Sequence, residues 1–282
     1  MPVKITTDST CDLSVELLKK YDIEVIPLVV SLGDKSGKDG KEVTPETIYD
    51  FVDKTGKLPK TSAVSIGEYK KIFKAWNAKG YNVVHFCIGS NFSSCYQNAC
   101  IAAEEVGGIY PVNSANLSTG QGLLVLRAAE MAKEGASAGA IAEKCRELVP
   151  FVEASFVVNS IDYLHKGGRC SSLAAFGANL LKLKPCINVI DGEMLPGKKY
   201  RGGINKVIEE YAEERLSGRD DIDTSRIFIT HTKCDTETIE QVKNLVREYC
   251  PDAGEILETT AGATVTTHCG PGTLGVLFIR SK

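Results

Sequence analysis

The strongest constraint in this sequence is an alternation that runs through its first half. Runs rich in Val, Ile, Thr and Phe at residues 3–7, 23–32, 82–88 and 109–112 take turns with segments of helical periodicity. Tyr69, Ile72, Phe73 and Trp76 repeat at i, i+3, i+4 and i+7, and further helices are expected at about 95–106, 119–134 and 137–148. Thr44 and Pro45 read as an N-cap and a first-turn proline. Ser65/Glu68, Ser94/Gln97 and Ser118/Gln121 have capping-box spacing. Residues 33–42, GDKSGKDGKE, read as a polar loop. Strand–helix alternation of this kind predicts a parallel sheet with helices on its faces.

The second half follows another pattern. A strand near 155–159, a short helix ending at Gly167 and a helix at about 172–183 precede two runs, 186–190 and 193–200, joined by Asp191-Gly192. That pair predicts a tight hairpin turn. Helices at 204–216 and 236–249 alternate with strands at 226–231, 255–260 and 273–280. A hairpin combined with crossovers predicts a mixed sheet. The expected organisation is α/β: an N-terminal three-layer parallel-sheet domain over 1–155 and a second mixed-sheet domain over 156–282.

Composition excludes several classes. The 282 residues carry 33 basic and 36 acidic side chains, a net charge of −3, with no basic face for nucleic acid. No stretch reaches the roughly 18 apolar residues of a membrane span, and the N-terminus lacks the apolar core of a signal peptide. The ten cysteines are irregularly spaced, without a C-x-x-C or a zinc pattern. They read as reduced core thiols of a cytoplasmic protein.

Three strand-to-helix junctions, at 8–12, 89–94 and 113–119, are rich in Ser, Thr and Asn. Ligands of open α/β sheets bind at that rim. Ser90, Asn91, Ser93 and Ser94 lie between a strand and a helix. They either cap that helix or add hydroxyls to its unpaired N–H groups to hold a carboxylate or phosphate. Thr61 and Ser62, in PKTSAVS at 59–65, are a second cluster, or simply a polar loop. His268 precedes Gly270-Pro271-Gly272, a turn whose glycines permit close approach to a ligand; a structural histidine is the alternative, and His85, inside an apolar strand, is the weaker ligand candidate. Arg169, beside two glycines, suits carboxylate recognition or is a surface arginine after a helix end. The phosphate loop G-x-x-x-x-G-K-[ST] and H-E-x-x-H are absent from the sequence, and no G-x-G-x-x-G turn or G-x-S-x-G elbow follows an expected strand.

Seven segments in order resemble the DegV family, the fatty acid-binding subunits of bacterial fatty acid kinase. They are TDSTCDL (7–13), IPLVV (26–30), PKTSAVS (59–65), SNFSSCYQNA (90–99), KGGRCSS (166–172), KPCINVIDGE (184–193) and HCGPGTLG (268–275). The resemblance implies two α/β domains with a fatty acid such as palmitate, stearate or oleate buried between them, and no cofactor. It implies that Thr61, Ser62, Ser93, Ser94 and His268 hold the carboxylate. Arg169, Gly270 and Arg201 are implied to support the head group or face a partner. That partner is a separate ATP-binding kinase subunit resembling dihydroxyacetone kinases, which phosphorylates the bound acid for phospholipid synthesis. The chain departs from the family pattern at Ser94, where glycine is common, and at Ala63-Val64, where Gln-Pro is common.

Two rival functions fit the same residues. One is a lipid esterase or acyl transferase with Ser93 as nucleophile, His268 as base and Asp8 orienting the histidine. The other is a lipid-responsive regulator without a kinase partner.

Overall fold

A computed structural model of the chain describes residues 1–170 and 183–281. The first sheet is parallel, in the order β2 (Glu24–Ile26), β1 (Val3–Asp8), β6 (Asn82–Cys87), β7 (Ile109–Asn113). Helices α3 (Ile66–Asn77) and α4 (Cys95–Val106) cover one face, and α5 (Ser118–Lys133) and α6 (Ala138–Leu148) the other. This is the three-layer arrangement expected from the alternation. The second sheet is mixed and six-stranded. Its order is β10 (Glu193–Tyr200), β9 (Lys184–Ile190), β8 (Val152–Val157), β13 (Thr273–Ile279), β11 (Arg226–Thr232), β12 (Glu255–Thr260), with only β11 and β12 parallel. Helices α8 (Ile204–Leu216) and α9 (Thr236–Tyr249) pack on its outer side.

Helix α5 packs against strands of both sheets. Most of its residues, Ser118 through Leu126 with Ala128 and Ala129, are buried, and only its last turns expose Arg127 and Lys133. One apolar core therefore runs from Ile5 and Phe86 through Leu124 to Phe156 and Leu277. The seam between the two sheets lies along this helix.

The turn at Asp191-Gly192 has φ values of 51° and 77°, both left-handed, as a two-residue hairpin of type I′ needs. Thr44 caps α2 (Pro45–Thr55) with a reciprocal capping box through Thr47. Ser65 accepts from the Glu68 N–H, but the Glu68 carboxylate turns to Lys38 at 2.8 Å.

Several expectations are corrected. Residues 23–32 are two strands. β2 ends at Ile26, and β3 (Val29–Leu32) joins a separate three-stranded antiparallel sheet with β4 (Lys35–Lys38) and β5 (Lys60–Ser62). The supposed loop at 33–42 thus contains a strand, made polar because it lies on a small sheet's edge. Ser94 is the N-cap residue of α4 but makes no side-chain cap; Ser93 Oγ accepts from the Cys95 N–H instead, at 3.3 Å. Ser118 does not cap α5 either. It has φ 52° and donates to Asp12 at 2.6 Å, while Gln121 reaches back to Thr7 and the Phe86 carbonyl. A helix unexpected from the sequence, α10 (Ala263–Cys269), carries His268. A division between 155 and 156 would cut β8, which joins the second sheet from Val152 onward. The helix expected at 172–183 falls almost wholly outside the described residues. All ten cysteines are free thiols, and among the described residues no helix is long and apolar enough to cross a membrane.

Candidate functional site

Four distant segments meet at the seam. β5 pairs antiparallel with β3, setting Thr61 opposite Val30 and Ser62 opposite Val29. The β6–α4 junction supplies Ser93, the end of α7 (Asp162–Gly167) supplies Arg169, and α10 supplies His268. Thr61 Oγ1 and His268 Nε2 are hydrogen-bonded at 2.9 Å across 207 residues of sequence.

Helix α10 is held at its start by two aspartates. Asp39 accepts from the N–H groups of Ala263 at 2.9 Å and Thr264 at 3.3 Å, and Asp12 from that of Gly262 at 2.8 Å. Its β-branched residues are poor helix formers, but Thr267 satisfies its hydroxyl on the Ala263 carbonyl one turn back. The helix ends at Gly270, φ 70°. A Cβ at Gly270 would lie 2.6 Å from the Tyr163 ring. The Gly-Pro-Gly turn therefore packs against α7, and the close approach its glycines allow is to protein.

Thr61, Ser62, Ser93, Arg169 and His268 line one cavity of about 500 Å³, counting its open mouth. Leu28, Ile88, Phe92, Leu117, Met194 and Val265 form most of its remaining wall. Among the described residues it has one cationic side chain, Arg169, and no carboxylate. Ser94 is exposed and lines only a shallow polar opening beside this cavity, shared with Asn91 and Arg169. Arg201 lies exposed between β10 and α8, away from both.

His268 is half-buried, and desolvation of its ring together with the nearby Arg169 charge pulls its pKa down to about 4. It is therefore a neutral imidazole near pH 7. Among the described residues its Nδ1 has no hydrogen-bond partner; it faces Gly167, where a Cβ would come within 2.4 Å. Thr264, one helical turn before His268, also lines the cavity with a buried hydroxyl that has no partner among the described residues. The sequence reading missed Thr264, whose only signal was the i, i+4 spacing to His268 on a helix that had not been recognised.

Asp8 does not orient His268. Its carboxylate accepts from Tyr69 at 2.5 Å and from the Ile88 N–H at 3.1 Å, and lies 3.3 Å from His85. Ser93 Oγ is engaged with Cys95. The Ser93–His268–Asp8 relay that an esterase needs is not assembled. Asp8, His85 and Cys87 place their ligating atoms within 4.8 Å of one another. Tyr69 and the Ile88 N–H donate to Asp8 and Thr6 pairs with His85 Nδ1, while His85 Nε2 faces Asp8 at 3.3 Å without a hydrogen bond.

A second cavity, about 380 Å³ counting its open side, adjoins the first and shares Leu117, Val265 and Cys269 with it; buried residues line it, Phe156, Val189 and Leu277 together with Ser118, Thr230, His231 and Thr273. The site is thus a polar mouth beside a buried, largely apolar space.

A family model described as an uncharacterised protein of the DegV family matches residues 2–281. The chain is 33% identical over 283 residues to a fatty acid-binding protein of Thermotoga maritima, with 98% of this chain and 96% of that one covered. A DegV family protein from Thermus thermophilus, described by its fatty acid binding, has a TM-score of 0.87 at 28% identity, with 99% of this chain and 100% of that one covered. A stearic acid-binding protein from Eubacterium ventriosum has a TM-score of 0.83 at 28% identity, with 99% and 98% covered. The chain belongs to the DegV family.

Proposed function

We propose that this protein binds one free long-chain fatty acid, with the carboxylate at Thr61, Ser93 and His268 and the tail in the seam between the sheets. The observation that carries this reading is the Thr61–His268 hydrogen bond at the mouth of a cavity with apolar depth. Each buried methylene contributes about 0.8 kcal/mol. A tail of about fifteen carbons gains roughly 12 kcal/mol, against an association cost of at least about 4 kcal/mol. The tail supplies affinity and the head group supplies orientation.

The carboxylate accepts only. For Thr61 to donate to it, Thr61 must accept from His268 Nε2–H. A neutral His268 satisfies that with one proton, leaving Nδ1 bare. Ser93, Ser62 and Arg169 are further donors on the same wall. An uncharged lipid head would leave Arg169 and these hydroxyls less well matched, which favours the acid.

The bound acid is presented to a separate ATP-binding kinase subunit, which phosphorylates the carboxylate for phospholipid synthesis in the cytoplasm. The sequence carries no nucleotide-phosphate loop, which supports this division of labour. Mass spectrometry of ligand extracted from protein purified out of bacterial cytosol tests the first step, with a fatty acid expected. Incubation with ATP, magnesium and oleate tests the second: acyl phosphate should form only after a kinase subunit is added. Turnover by the isolated chain would refute that part.

A further inference from the structure

We infer that the cross-strand pair Ala154–Val189 is the floor of the acyl channel and sets the longest tail the protein accepts. The inference rests on the fatty acid reading above and concerns the opposite end of the ligand. The inner cavity and the head-group cavity share the wall of Leu117, Val265 and Cys269, which a tail running inward from the carboxylate has to pass. Beyond that neck, Phe156 and Leu277 flank it, and Ala154 and Val189 also line it.

Ala154 and Val189 are direct partners in the antiparallel β8–β9 ladder. Side chains so paired stand next to each other on one face of the sheet. Both also line a third space, an outer cleft of about 1100 Å³ with Glu153, Asn188, Arg215 and Arg280. The two side chains therefore separate the apolar interior from a charged exterior.

The exterior makes that partition an energetic stop as well as a steric one. Glu153 is bracketed by Arg215 at 2.7 Å, Arg280 at 3.0 Å and Arg219 at 3.4 Å. A methyl end pushed past the pair leaves apolar contacts for charged side chains and gains no favourable burial. Tails that stop short of the pair leave apolar space unfilled. Affinity therefore climbs with length until the tail reaches Ala154 and Val189, then falls. Alanine at 154 leaves room that a larger side chain would take.

The test is direct binding of dodecanoate, palmitate, stearate and eicosanoate to the wild type, Ala154→Leu and Val189→Ala. Leucine at 154 is expected to weaken stearate relative to dodecanoate by about tenfold, equivalent to roughly two displaced methylenes. Val189→Ala, which only removes volume, is expected to move the preferred length upward. Val189→Ala carries the test alone if Ala154→Leu does not fold. A stearate-to-dodecanoate ratio unchanged from wild type in folded variants that still bind palmitate overturns the floor assignment alone. A wild type that binds none of the four acids overturns the fatty acid reading itself, and the floor with it.

Discussion

The Tyr69 hydroxyl donates a 2.5 Å hydrogen bond to the Asp8 carboxylate, and both side chains are wholly buried. Burial, and then the Asp8 charge, push the Tyr69 phenol well above its ordinary pKa, so it remains a donor. The other Asp8 oxygen holds the Ile88 N–H at the start of the loop that carries Ser93. One carboxylate thus ties α3, the end of β1 and the β6–α4 junction together. Tyr69→Phe leaves a buried carboxylate oxygen short of its neutral donor. We expect a loss of roughly 1.5–3 kcal/mol, read as a lower urea midpoint with an unchanged slope. A midpoint equal to wild type would show that the bond adds nothing.

Thr61 reaches His268 through its hydroxyl, the same group that the proposed carboxylate contact uses. Thr61→Val keeps the shape and removes that group. Palmitate or oleate affinity should fall by about 1–3 kcal/mol, roughly 5- to 150-fold, and Thr61→Ser should retain most of it. Ser93→Ala and His268→Ala should lose affinity on the same scale. Wild-type affinity in all of these variants would remove the head-group site.

Gly167 leaves just enough room for the His268 ring, since a Cβ there would stand 2.4 Å from Nδ1. Its backbone is not in the left-handed region, so alanine is tolerated locally. Gly167→Ala should therefore displace the ring from Thr61, reducing fatty acid affinity by about tenfold while the melting temperature changes little. Equal losses of stability and affinity would instead point to a general packing defect.

Two groups near α10 give opposite pH slopes. His268 has a folded pKa of about 4 against 6.5 for the model group. Its contribution to stability is present above 6.5 and is lost as pH falls toward 4. Asp12 is raised to about 8 from 3.8, chiefly by burial. Its contribution is present below 3.8 and is lost as pH rises through about 8. Asp12→Asn keeps a neutral acceptor for the Gly262 N–H and turns its amide NH2 to the Ser118 hydroxyl, which can accept, and asparagine tolerates the left-handed backbone at this position, φ 49°. Melting temperatures measured from about pH 6 to pH 9 should fall less steeply in Asp12→Asn than in wild type. Parallel curves would mean that Asp12 does not hold its proton in the folded state.

Much of the architecture was legible because its signals are local. The Asp191-Gly192 hairpin, the Thr44 cap and the β6–α4 alternation each depend on residues within one or two turns of each other. The failures were also physical. Ser118 had capping-box spacing with Gln121, but Asp12, 106 residues away, claims its hydroxyl. Helix α10, rich in threonine and valine, has poor intrinsic propensity and stands because Asp12 and Asp39 hold its first N–H groups. Strand β4 is polar and short, so its composition matched a loop. Among the site residues, Thr61, Ser62, Ser93, Arg169 and His268 share one cavity, whereas Ser94, Gly270 and Arg201 do not line it.

Apolar period and turn chemistry act between near neighbours along the chain, so the sheet types, the hairpin and most helix positions could be read before any fold was known. That β5, the β6–α4 junction, α7 and α10 meet at one mouth, and that Asp8 serves the core rather than His268, came out of the folded arrangement alone. Those outcomes follow from the two sheets closing on the buried helix α5. A contact between residues 207 apart has no spacing rule to announce it.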